Sequence, residues 1–81
     1  MVYVYVIESQ KDGRRYVGIA GDVPRRLSEH NAGRSKSTWP YCPWVLAHQE
    51  DYETHEAARA REKYLKTSAG RRCLKKLLEK E

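Results

Sequence analysis

Cysteine is scarce in this 81-residue chain, and long apolar runs are missing from it. Cys42 and Cys73 are the two cysteines present. A secreted domain this small usually carries four or more at framework spacing, so two point to reduced thiols in a cytoplasmic protein. Neither has a second cysteine at zinc-knuckle distance, and His30, His48 and His55 are scattered. No run approaches the roughly 20 apolar residues that span a bilayer, which excludes a transmembrane helix and a membrane partner. The start, Met1-Val2-Tyr3-Val4-Tyr5, lacks a basic n-region and a small-residue cleavage site, so no signal peptide is expected. There is no repeat, low-complexity stretch or linker, and residues 1–81 are read as a single domain. Acidic residues are in deficit: 11 Asp and Glu face 16 Lys and Arg, a net charge of +5. Two Trp and six Tyr are too much aromatic content for a disordered chain.

Hydrophobic patterning predicts the elements. Val2 to Glu8 is apolar at alternate and at intervening positions, as in a central strand covered on both faces. Asp12-Gly13 signals a hairpin turn into a second strand from Arg14 to Ala20. Gly21-Asp22 break that strand, and Asp22 caps a helix from about Val23 to Ala32, with Pro24 tolerated in its first turn. Gly33 to Pro43 reads as loop, and Trp44 to Glu50 as a third, half-buried strand. Thr54 is the N-cap of a helix running to about Lys66. Gly70 is expected to separate that helix from a last one, whose Cys73, Leu74, Leu77 and Leu78 form an apolar stripe. The order β-β-α-β-α-α predicts an α+β domain, a small three-stranded antiparallel sheet flanked by three helices.

Some residues look wrong for structure alone. With Asp12-Gly13 as the central turn pair, Tyr16 faces Ser9, Gly18 faces Ile7 and Ala20 faces Tyr5. Tyr5, Tyr16 and Gly18 then share one face, where a strand glycine marks close approach of a ligand or another backbone. The plainer reading is two core aromatics with hydroxyls at the rim. On the first helix, Val23, Arg26, Leu27 and His30 share a stripe. Arg26 either snorkels outward or acts in a site, and His30 is either a hydrogen-bonded core histidine or a functional one. Arg25 lies off that stripe and reads as a solvated charge. Glu62 sits between Ala58 and Leu65 on the buried-looking face of its helix. It is either a metal or phosphate-site carboxylate or a surface partner of Lys66 at i+4. Basic residues gather at Arg25, Arg26, Arg34 and Lys36 and again from Arg59 to Lys80, a footprint that favours a polyanion partner over a merely solvated face.

Taken in order, Tyr5, Tyr16-Val17-Gly18, Arg26, His30-Asn31 and a helix-borne Glu62 resemble the GIY-YIG nuclease superfamily, closest to its small stand-alone bacterial branch. The Tyr16–Val23 and Arg26–Gly33 blocks, Ser37-Thr38 before Pro43-Trp44, and Ala58 through Arg61-Glu62-Lys63 to Lys66 agree. The resemblance covers essentially the whole chain. It departs where Tyr3-Val4-Tyr5 replaces the glycine and isoleucine of the first motif. It departs again beyond the glutamate helix, where relatives carry an asparagine and this chain has Thr67-Ser68-Ala69-Gly70.

The resemblance implies phosphodiester cleavage with a single divalent cation, Mg²⁺ or Mn²⁺, held by Glu62 as its sole protein ligand. Arg26 would neutralise charge on the non-bridging oxygens, and Tyr5 or Tyr16 would activate water, the phenol drawing on nearby positive charge. His30 would accept or position a tyrosine proton. Gly18, Arg25, Arg34, Lys36 and Lys66 are the positions expected along the nucleic acid, DNA in preference to RNA. Larger relatives add a separate DNA-binding domain, so weak shape-based binding, a protein partner or a homodimer would supply the rest. The expected function is an endonuclease for structured or branched DNA. The competing readings are a non-catalytic nucleic-acid-binding module and an accessory subunit of a DNA-processing complex.

Overall fold

The apolar strand β1 (Val2–Ser9) takes the middle of a three-stranded antiparallel sheet, between β2 (Arg15–Ala20) and β3 (Trp44–Tyr52). The computed structural model describes residues 1–79; Lys80, the end of the expected basic run, lies outside them. Val4, Tyr5, Val6 and Ile7 are each no more than 1% exposed, so both faces of β1 are covered, as its unbroken apolar pattern requires. Val4 and Val6 pack with Val17, Ala58, Leu65 and Leu74 beneath α2 (His55–Leu65) and α3 (Ser68–Leu78). Tyr5 and Ile7 point the other way and pack with Val23 of α1 (Val23–Asn31) and with Trp44. The element order is β-β-α-β-α-α, with a short 3₁₀ turn at Trp39–Tyr41, and the α+β expectation holds. No helix of the described residues is long and apolar enough to cross a membrane. Cys42 and Cys73 are free thiols.

The hairpin register differs from the expected one. Tyr5 faces Gly18, and Ile7 faces Tyr16. The turn is longer than a two-residue loop: the Ser9 N–H donates to the Arg14 carbonyl (2.8 Å) and the Gly13 N–H to that of Ser9 (2.9 Å). Ser9 holds this loop from inside, its buried Oγ accepting from the Lys11 N–H at 3.0 Å while donating to the Tyr41 carbonyl at 2.6 Å. The displacement is an even number of residues, so it leaves every side chain on its expected face.

Helix α1 begins where expected, Asp22 accepting from the Arg25 N–H at 3.1 Å, and Ala32 is its C-cap with Gly33 at φ +80° beyond. Asn31 clamps the far end. Its amide donates to the Trp44 carbonyl (3.0 Å) and accepts from the Trp44 N–H (2.6 Å), tying α1 to the start of β3. Strand β3 continues to Tyr52, past the expected end at Glu50, and of its residues only Trp44 is fully buried.

Gly70 does not separate two helices; it lies inside the first turn of α3. Thr67 makes the break instead, accepting from the Gly70 N–H (3.1 Å) and donating to the Tyr64 carbonyl (2.6 Å). A Cβ on Gly70 would collide with the Tyr64 carbonyl oxygen, so the glycine is there to let α3 start hard against the end of α2. Alanine improves helix propensity by about 1 kcal/mol over glycine. Gly70→Ala is nonetheless expected to lower unfolding free energy by about 2 kcal/mol, through overpacking. Urea denaturation checks it, and a stabilised variant would refute the packing account.

Candidate active site

Tyr5 stands at the centre of β1 on the α1 face, opposite Gly18. A Cβ on Gly18 would come within 2.6 Å of the Tyr5 hydroxyl and 2.7 Å of its ring. The close approach expected of a ligand at Gly18 is thus made by Tyr5 itself. Gly18 is buried beneath that phenol, which corrects its expected place along the nucleic acid.

The Tyr5 hydroxyl lies 2.9 Å from His30 Nε2, and His30 Nδ1 lies 2.7 Å from the Thr38 hydroxyl. All three residues are at most 1% exposed, so the chain is sealed from solvent. Burial, then the charge of Arg26, holds His30 below the ordinary histidine range, and the ring is neutral near pH 7. A neutral imidazole donates from one nitrogen and accepts at the other. Among the described residues the Tyr5 O–H has no other acceptor, so Nε2 accepts from it and Nδ1–H donates to Thr38. Thr38 is in turn fixed by Trp44, whose indole N–H donates to its carbonyl at 2.9 Å. His30 is thus buried and hydrogen-bonded at both ring nitrogens.

Burial, followed by the neighbouring Tyr16, pushes the Tyr5 phenol up to about 12, against the opposing pull of Arg26. Positive charge was expected to bring a tyrosine down toward neutrality; at Tyr5 desolvation outweighs it. Tyr5 is therefore held in its neutral, hydrogen-bonded form. Tyr16 is only half-buried, with its ring edge-on to His30 at 5.1 Å between centroids and 6.4 Å from Tyr5. It is the phenol of the pair that solvent can reach.

Arg26 projects from α1 with its side chain 35% exposed, the snorkelled arrangement, and Nη1 donates to Glu29 at 2.9 Å. That hydrogen bond raises its pKa further, so the guanidinium is permanently charged beside Tyr5 and His30. Arg25 is solvated, 3.6 Å from the same carboxylate. The Arg26 hydrogen bond, then the charges of Arg26, Arg25 and Arg34, depress the Glu29 carboxyl. Three arginines thus surround one glutamate at this end of α1, and Lys36 is exposed in the loop beyond.

Glu62 is on α2, whose buried Ala58 and Leu65 face the opposite side of the sheet. Its side chain is 14% exposed, bound to Lys66 at 2.9 Å with Arg59 at 3.6 Å. The fold brings Tyr5, Tyr16, Arg26 and His30 together; among the described residues Glu62 has no hydrogen bond or ion pair to any of them. The i+4 pair with Lys66 is realised. Nor do the described residues group three or more His, Cys, Asp or Glu as a metal cage. A lone hard carboxylate fits Mg²⁺ or Mn²⁺ in the mode where substrate phosphates and water complete the shell.

Two features gain their role only from the fold. Thr38 is set among loop residues, and only its buried contact with His30 gives it a role. Glu50 is the other. Arg61 grips it through two hydrogen bonds (2.9 and 3.0 Å), with Tyr52 at 2.7 Å and His48 at 2.8 Å. This node locks β3 to α2, and a strand–helix pair of that kind has no periodicity by which to find it.

The chain is similar to known proteins over most of its length. A UPF0213 protein of Halobacterium salinarum is 43% identical over 67 residues, covering 82% of this chain and 86% of the relative. A UPF0213 protein of Staphylococcus saprophyticus is 36% identical over 78 residues, 95% of this chain and 94% of the relative. The solution NMR structure of a UPF0213 protein from Bacillus halodurans superposes with a TM-score of 0.57 at 31% identity, over 95% of this chain and 85% of that one. The GIY-YIG catalytic domain model matches residues 1–76, and with the tyrosines, arginine and histidine assembled on one face of the sheet, the chain belongs to the GIY-YIG family.

Proposed function

We propose that the protein is an endonuclease that hydrolyses phosphodiester bonds of structured or branched DNA, using Mg²⁺ or Mn²⁺ held by Glu62. The observation that carries this reading is the sealed Tyr5–His30–Thr38 chain with Arg26 and the accessible Tyr16 beside it. A core built for stability alone gains little from burying three polar side chains in series. Here they hold two rings in fixed orientation beneath a permanent cation.

Each residue then has a task. Arg26 presents a planar fork to the non-bridging oxygens of the scissile phosphate and neutralises charge that builds there. Tyr16 orients the attacking water and, as the phenolate once its own proton has passed to solvent, takes the water's proton. Tyr5 and His30 fix the position of Tyr16 from below, through ring contacts and the bond between them. Arg25, Arg34, Lys36 and Lys66 supply phosphate contacts that position the strand without reading its sequence. Bound at Glu62, the cation would polarise the phosphate and stabilise the leaving oxygen. Tyr16 and Lys66 both border one cavity at the β2 edge, which supports a path for the strand over that edge from Tyr16 to the end of α2 where Glu62 is paired.

The test is cleavage of labelled duplex, single-stranded, flap and four-way-junction DNA in Mg²⁺, Mn²⁺ or EDTA. Cutting is expected with either metal and not in EDTA. Tyr16→Phe should lose about 100-fold in rate, the scale of a positioned proton acceptor. Tyr5→Phe should lose less, because its hydroxyl never meets substrate. Retained DNA binding without turnover on any substrate would favour the non-catalytic module, or an enzyme that needs a partner or second copy.

A further inference from the structure

A cavity of about 550 Å³ opens between β2 and the junction of α2 with α3. Val17, Leu65 and Leu74, all buried core residues, form its floor, and Arg15, Lys66 and Arg71 stand around it. The cations come from three different elements, and among the described residues no carboxylate lines the cavity. Their partners are few. Arg15 lies 3.7 Å from Glu8, Lys66 reaches Glu62, and Arg71 has no carboxylate partner among the described residues. Arg71 also stands in the first turns of α3, where the backbone dipole adds to the positive field. With Arg15 and Lys66 each matched by one carboxylate and Arg71 by none, the cavity keeps a net positive field that an entering anion relieves.

The ligand follows from size, charge and neighbour. The volume falls in the range of small-molecule sites and admits a nucleotide, with two guanidinium forks able to grip a phosphate bidentately. Tyr16 borders the cavity from the edge strand β2, with its ring on the other face of the sheet, so a strand crossing the β2 edge passes both. We propose that the cavity holds one nucleotide splayed out of the substrate, its backbone phosphate on Arg15, Lys66 and Arg71 and its sugar or base on the apolar floor. This rests on the nuclease reading for the identity of the strand. It narrows the substrate to DNA with an unpaired segment beside the cleavage point.

Binding measured in EDTA separates the two proposals, because it needs no turnover. A fluorescent single-stranded oligonucleotide and a blunt duplex are titrated against wild type, Arg15→Gln and Arg71→Gln over a range of salt. Arg72→Gln, on the other groove of α2 and α3, is the control. Each cavity variant is expected to weaken single-strand binding about three- to tenfold and to reduce the slope of log K against log salt by roughly 0.7, the value for one lost phosphate contact. The duplex should be affected less, and Arg72→Gln should bind like wild type. Equal losses in Arg71→Gln and Arg72→Gln, equal losses on duplex and single strand, an unchanged slope, or no binding by wild type would each overturn the cavity proposal. Cavity-dependent binding by a protein that never cuts in Mg²⁺ would leave it standing and remove the nuclease reading. Metal-dependent cutting with an unchanged slope would do the reverse.

Discussion

Glu62→Ala is expected to lower DNA cleavage at least about 1000-fold while leaving DNA affinity equal to wild type or tighter. A bound divalent cation supplies several kcal/mol of charge stabilisation. At 1.36 kcal/mol per factor of ten, that is about three decades of rate. The binding half of the prediction comes from the ion pair. Glu62 holds Lys66 at 2.9 Å in the free protein, so removing the carboxylate releases a cation toward the phosphates. A merely structural Glu62 would behave differently, since its loss would change thermal stability more than rate. Paired cleavage and gel-shift measurements, with thermal melts of both proteins, decide the matter. Equal cutting by the variant would sink the metal-ligand role.

Glu50→Gln is expected to cost about 3 kcal/mol of stability at pH 7, with the difference fading as the solution is acidified. Burial raises the Glu50 carboxyl, but hydrogen bonds from Arg61, His48 and Tyr52, with the Arg61 charge, overcome it and hold the group at about 2 against 4.5 in the unfolded chain. A carboxyl depressed by folding contributes stability that is complete above the unfolded value and is lost as pH falls through the folded one. The window is therefore pH 4.5 down to about 2. At 1.36 kcal/mol per unit, the displacement is worth about 3 kcal/mol, in line with the usual cost of removing one partner of a largely buried pair. Urea unfolding from pH 7 to pH 2 checks this. A wild-type advantage of the same size at both ends of the range would show that the node does not act through charge. For a domain whose total stability is on the order of 5–10 kcal/mol, the node is a large share of what keeps β3 on α2.

Local chemistry determined much of the molecule. The two-faced apolar pattern of Val2–Glu8 required a central strand, because leaving either face open would strand valines and tyrosines in water. Asp22 and Thr54 placed the starts of α1 and α2, since a short polar side chain satisfies helix N–H groups wherever the chain puts it. Spacing along a helix set Arg26 and His30 on one stripe, and strand alternation set Tyr5 and Tyr16 on one face. That parity survived an error in the hairpin register because the displacement was even. The ordered set of these residues was also enough to reveal the family.

What the tertiary structure alone decided were the relations between elements far apart in sequence. Asp12-Gly13 invites a tight turn, but pairing along the strands, with Ser9 satisfied inside the loop, selected the longer one. Gly70 has the composition of a break, and only the Tyr64 carbonyl against it explains a glycine within a helix. No local rule links Thr38 to His30, or Glu50 to Arg61, since each bond joins elements brought together only by packing. The different settings of the two tyrosines were decided in the same way. As residue types Tyr5 and Tyr16 are identical; burial at the centre of β1 keeps one neutral and hydrogen-bonded, and a half-exposed place on the edge strand β2 leaves the other open to solvent.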